Sequence, residues 1–140
     1  MRIYFNQQFF HKKTFSQESI EKYLANALRD LHIATKNKDP EVVFTFTYAT
    51  LIKAGITLIA KLGYKVSSKA GHHIKILEKL AQILEDENVN IVGQTMRKKR
   101  NADLYKGGII VSSKEVKSYL GFVKKIVRKV EKIVKNQKNR

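Results

Sequence analysis

The chain has 140 residues, a length that makes one domain and lets it bury about two thirds of its unfolded surface without a metal or disulfide staple. It has no cysteine, which excludes a disulfide framework, a thiolate metal site and a cysteine nucleophile. Its 28 Lys+Arg against 12 Asp+Glu leave a net charge of +16, more than solubility requires. The expected partner is therefore an anion: nucleic acid, anionic lipid or an acidic protein. A generally basic, heat-adapted proteome is the alternative reading.

Residues 1–15 form an aromatic and basic arm ahead of a single domain over 16–140. Asn6, Gln7 and Gln8 interrupt any apolar run, so the arm is not expected to be a signal peptide. Tyr4, Phe5, Phe9, Phe10 and Phe15 are too many rings for a solvated tail. They are expected to dock on the body or on a second subunit, with stacking on bases as the sharper alternative. Helix 1 starts at Ser16, and Ile20, Tyr23, Leu24, Ala27, Leu28 and Leu31 make its core stripe. Asp39-Pro40-Glu41 supplies an N-cap, a first-position proline and a first-turn acid for helix 2, which runs to about Leu62 and stops at Gly63.

Helix 2 is close to membrane-spanning length, but Lys53 and four threonines within it favour a buried core helix and no membrane. Residues 64–71 read as a connector. Helix 3 is expected from His72 to Asp86, a turn at Asn88 to Asn90, and helix 4 from Ile91 to Tyr105. Ser112-x-x-Glu115 is a capping box for helix 5, where Val116, Leu120, Val123, Val127, Val130 and Val134 recur at helical spacing. The predicted fold is all-α: an antiparallel up-and-down bundle of four to five helices. No repeat and no glycine-rich phosphate loop is present.

The charge is concentrated. From Gln94 to Arg140 there are 15 Lys+Arg and 3 acids, so this third of the chain carries +12 of the +16. The run Arg97-Lys98-Lys99-Arg100 and the outer face of helix 5, with Lys124, Lys125 and Arg128, are the candidate phosphate contacts. A solvated face is the plain reading of such lysines, but one with so few acids repels itself. In Arg100-Asn101-Ala-Asp103-Leu-Tyr105, an arginine can clamp a phosphate and an asparagine can orient an oxygen. Asp103 reads most simply as an ion pair for Arg100, and Tyr105 as a helix-end anchor. The adjacent His72 and His73 read as a helix-start pair, one packed and one solvated. Beside Arg100 one of them could act in its chemistry. Adjacent helical residues point about 100° apart and do not chelate well, so no metal or cofactor is expected.

The order of these features resembles the HEPN superfamily (higher eukaryotes and prokaryotes nucleotide-binding). The resemblance rests on an amphipathic first helix, an Ala-rich second helix ending in Gly63, and Gly71-His72-His73 before helix 3. Arg100-Asn101 with Tyr105-x-Gly107, and the Ser-Ser-Lys-Glu-Val start of the last helix, complete it. It implies a helical bundle that dimerises, with the arginine motifs of two subunits facing one cleft. Active members resemble metal-independent ribonucleases, many of them toxins, with an arginine, a polar residue and a histidine a short way further on. Arg100 and Asn101 match the first part. The histidine place holds Tyr105 or, counted from Arg97, Asp103. A phenol with a pKa near 10 is a poor base at pH 7. The expectation is therefore a cytoplasmic homodimer that binds RNA or a nucleotide through an Arg-Asn cleft at its interface, in a defence or toxin–antitoxin setting. Arg100, Asn101 and Tyr105 are the candidate catalytic groups if it is instead a ribonuclease. A helical partner subunit of a nucleotidyltransferase is the third expectation.

Overall fold

The computed structural model describes residues 2–107 and 111–136, and the side chains of residues 103–106 lie outside that description. Among the described residues five helices carry the fold: α1 (Gln17–Lys36), α2 (Pro40–Lys61), α3 (His72–Leu84), α4 (Glu87–Lys106) and α5 (Ser113–Lys135). A two-stranded antiparallel sheet joins β1 (Phe10–Lys12) to β2 (Tyr64–Val66). The protein is an all-α helical bundle with that small sheet at one edge.

Local chemistry sets most boundaries. The Ser16 hydroxyl accepts from the Ser19 amide, Asp39 caps Glu41 with Pro40 at the first helical position, and Ser112 with Glu115 makes a reciprocal capping box. Gly63, at φ 90, takes the left-handed conformation that ends α2. The turn between α3 and α4 falls earlier than its asparagines suggest. Glu85 adopts a left-handed φ of 53, and the Asp86 carboxylate accepts from the Asn88 amide, so α4 starts at Glu87. This puts Val89 in the core, fully buried.

The connector after α2 also departs from expectation. Tyr64–Val66 pairs with the arm, Phe10 opposite Val66 and Lys12 opposite Tyr64. The Lys13 amide donates to the Gly63 carbonyl at 2.9 Å, and the Ser67 amide to the Phe9 carbonyl at 2.7 Å. Phe10 is buried, and Phe5 is buried with its ring stacked on Tyr64 at 4.0 Å. The arm thus docks on its own body. Of the two docking surfaces expected for these rings, the body takes Phe5 and Phe10; Tyr4 stays largely exposed.

Helix α2 is the hub, in contact with the other four. It is long and apolar enough to cross a membrane, yet most of that stretch is buried within the protein. Three of its four threonines fit because Thr45, Thr50 and Thr57 donate to the carbonyls of Glu41, Phe46 and Lys53, one turn back; the Thr47 hydroxyl is buried without a hydrogen bond among the described residues. Lys53 fits because its ammonium lies 2.7 Å from Asp30, a buried carboxylate on α1.

Two glycines allow close helix packing. A Cβ at Gly55 would lie 2.5 Å from the Ile76 Cγ2, and one at Gly93 2.7 Å from the Leu77 Cδ2. Both neighbours are fully buried and cannot swing away. Gly55→Ala should therefore destabilise the protein by about 1–2 kcal/mol despite alanine's better helix propensity. Gly121→Ala on α5, where nothing lies within 4 Å, should stabilise by up to about 1 kcal/mol. Urea denaturation of the two variants checks the contrast.

Candidate functional site

Arg97, Arg100 and Asn101 lie three and four residues apart on α4, so they share one face. That face looks onto the start of α3. Gly71 turns the chain there at φ 85, a conformation that strains any side-chain-bearing residue. The turn lets the His72 Nδ1 meet the Lys69 carbonyl at 2.8 Å. Together these groups wall an open cleft of about 300 Å³, with Lys69, His72, His73, Arg97, Arg100 and Asn101 in its lining. No carboxylate is among the lining residues described. The N-terminus of α3 adds partial positive charge to the same place.

Arg97, Arg100 and His73 are each held by a neighbour. The Arg97 Nε donates to the Gln94 Oε1 at 2.8 Å, and the Gln94 Nε2 donates to the Ile74 carbonyl at 3.2 Å, tying α4 to α3. The Arg100 guanidinium lies 5.8 Å from the ring centre of Tyr48, within cation–π range. Tyr48 is buried in α2, and its hydroxyl oxygen lies 2.9 Å from the His73 Nδ1. One phenol from the hub helix thus braces both the arginine and the histidine.

The two histidines differ in chemistry. A carbonyl only accepts, so the His72 Nδ1 must carry the proton in that hydrogen bond. In its neutral form His72 therefore presents an unprotonated Nε2. Burial pushes the His73 pKa down to about 4, helped by the positive charges of His72, Arg100 and Arg97. Burial pushes Tyr48 up to about 12, against the opposing pull of Arg100 and Arg97. At neutral pH the Tyr48–His73 pair is a neutral phenol against a neutral imidazole.

The His73 shift has a consequence for stability. Unfolded, an imidazole takes up its proton near pH 6.5; folded, His73 resists it until about pH 4. The unfolded state binds more protons between these values, so the protein should lose stability as pH falls from 6.5 towards 4. His73→Asn should flatten that part of the curve relative to the wild type. Urea midpoints across the range measure it, and parallel curves for the two proteins would refute it.

No family model, curated protein or solved structure matches the chain. The cleft's own chemistry therefore carries the functional reading. The structure divides the run Arg97–Arg100: Arg97 and Arg100 line the cleft, whereas Lys98 is exposed and not in its lining. Lys99 pairs with Glu115 at 3.3 Å. Lys124, Lys125 and Arg128 sit on α5 and do not line the cleft; Lys125 and Arg128 are exposed, Lys124 half-buried. The side chains of Asp103 and Tyr105 lie outside the described residues, as do the expectations placed on them.

His72 and His73, read from sequence as a plain helix-start pair, both line the arginine cleft. Among the described residues no group of three or more His, Cys, Asp or Glu is placed to hold a metal ion. Sequence reasoning missed Tyr48 and Gln94. The signal for Tyr48 was there: a phenol deep in an apolar helix needs a hydroxyl partner.

Proposed function

We propose that this is a HEPN-like domain that binds RNA or a nucleotide by its phosphate, with Arg97, Arg100 and Asn101 as the grip. The observation that carries the reading is two braced guanidinium groups in one cleft with an amide and two histidines, and no carboxylate among the described lining residues. A guanidinium fork matches phosphate geometry, and an asparagine supplies a further donor. Binding to single-stranded RNA should weaken with salt, log K falling by roughly 0.7 per unit of log salt for each phosphate contacted. Fluorescence anisotropy over a salt series measures the slope. Absent or salt-insensitive binding would sink this reading and favour a partner-subunit role beside a nucleotidyltransferase.

A second reading, a metal-independent endoribonuclease, is supported by the His72 tautomer. In it the unprotonated Nε2 takes the proton of a ribose 2′-hydroxyl as that oxygen attacks the adjacent phosphorus; the P–O5′ bond breaks to leave a 2′,3′-cyclic phosphate, the departing 5′-oxygen takes a proton from solvent, and Arg100 stabilises the charge that develops. This role falls to a histidine from α3 rather than to one following Arg100. Cleavage that persists in EDTA and disappears in His72→Ala supports it; a wild type that binds RNA and leaves it intact removes it. Both readings carry a homodimer with facing clefts, which sedimentation at tens of micromolar would test.

A further inference from the structure

The basic cleft has a neighbour of another kind. A second cavity, of about 270 Å³, shares Ser68 and His72 with it. Its walls are Phe15 just ahead of α1, Tyr23 on α1, Ile56 and Ala60 on α2, and Tyr64 and Val66 on β2. Phe15 and Tyr23 meet edge to face with ring centres 5.7 Å apart, and Tyr64 is held in plane by its stack on Phe5. Phe15, Tyr23, Ile56 and Tyr64 are all half-buried, so packing within the chain leaves part of this apolar surface open. Lys65 and Ser68 add polar groups to the lining.

We propose that this aromatic cavity is the base subsite for the same ligand whose phosphate sits between Arg97 and Arg100, so that the ligand is a nucleotide or strand with an unpaired base. The inference rests on the phosphate-binding reading above and goes beyond it. A nucleotide joins a flat, largely apolar base to a charged phosphate through one sugar. A site for it must set an aromatic slot directly beside an anion cleft, and here His72 and Ser68 form the common wall. A duplex keeps its bases stacked inside and offers only phosphates, so it cannot fill the slot. Stacking on such rings tolerates any base.

The test compares three probes on the full chain over a salt series: a short oligoadenylate RNA, an abasic strand of the same length, and a duplex of that length. The oligoadenylate should bind about tenfold more tightly than the abasic strand, with the same salt slope. Tyr23→Ala should remove that advantage and keep the slope, whereas Tyr23→Phe should retain both. Equal, salt-dependent binding of all three probes would overturn the base subsite and leave the phosphate grip standing. No salt-dependent binding of any probe would overturn the phosphate grip and the subsite with it. The wild-type comparison decides the matter even if Tyr23→Ala fails to fold.

Discussion

Lys53→Met should destabilise the protein by about 3 kcal/mol. Asp30 is 2 % exposed, and its carboxylate has Lys53 at 2.7 Å and Arg29 at 3.3 Å. Arg29 is 65 % exposed, so water screens much of its attraction. Methionine keeps the length and apolar stem of the lysine but leaves Asp30 as a buried charge without its near partner. Replacing both residues, Asp30→Asn with Lys53→Met, removes the stranded charge and should recover a good part of the loss. Urea denaturation of the two single variants and the double one completes the cycle. If Lys53→Met alone is neutral, Arg29 suffices for Asp30 and the buried pair is not what fixes α1 against α2.

Arg100→Ala should weaken binding to single-stranded RNA by about 1–3 kcal/mol and lower the salt slope by roughly 0.7. Arg100→Lys should restore only part of the affinity. An ammonium keeps the charge but lacks the planar fork, and it gains less from the Tyr48 ring beneath it. Lys125→Ala, on the exposed outer face of α5 and absent from the cleft lining, should have a much smaller effect. Equal losses from Arg100→Ala and Lys125→Ala would mean that binding spreads over the basic surface and the cleft is not its centre. Loss of affinity without a change in slope would mean that Arg100 acts by packing α4 on Tyr48 of α2 and not by touching phosphate.

Much of the fold is legible in the chain because helix boundaries are local chemistry. Ser16, the Asp39-Pro40-Glu41 start and the Ser112/Glu115 box each act within a few residues of themselves, and each caps the helix it announces. The valine stripe of α5 likewise faces the core, because helical spacing alone puts those side chains on one side. Arg97, Arg100 and Asn101 share a face for the same reason.

What the sequence could not reveal depends on pairs far apart in the chain. Lys53 reads as an awkward charge in an apolar helix until α1 brings Asp30 against it. The arm's rings call for a docking surface but do not say which, until Phe10–Lys12 finds an edge at Tyr64–Val66, a pairing set by backbone hydrogen bonds that carry little side-chain signature. The histidines are the clearest case. Nothing next to His72 and His73 in sequence assigns them a role. The close approach of α2, α3 and α4, allowed at Gly55 and Gly93, sets His73 against Tyr48 and both histidines beside Arg100. Sequence by itself determined the helices and the basic character of α4; only the tertiary structure decided which of its cations meet the histidines, because a cleft is a property of facing surfaces and helical periodicity describes one surface at a time.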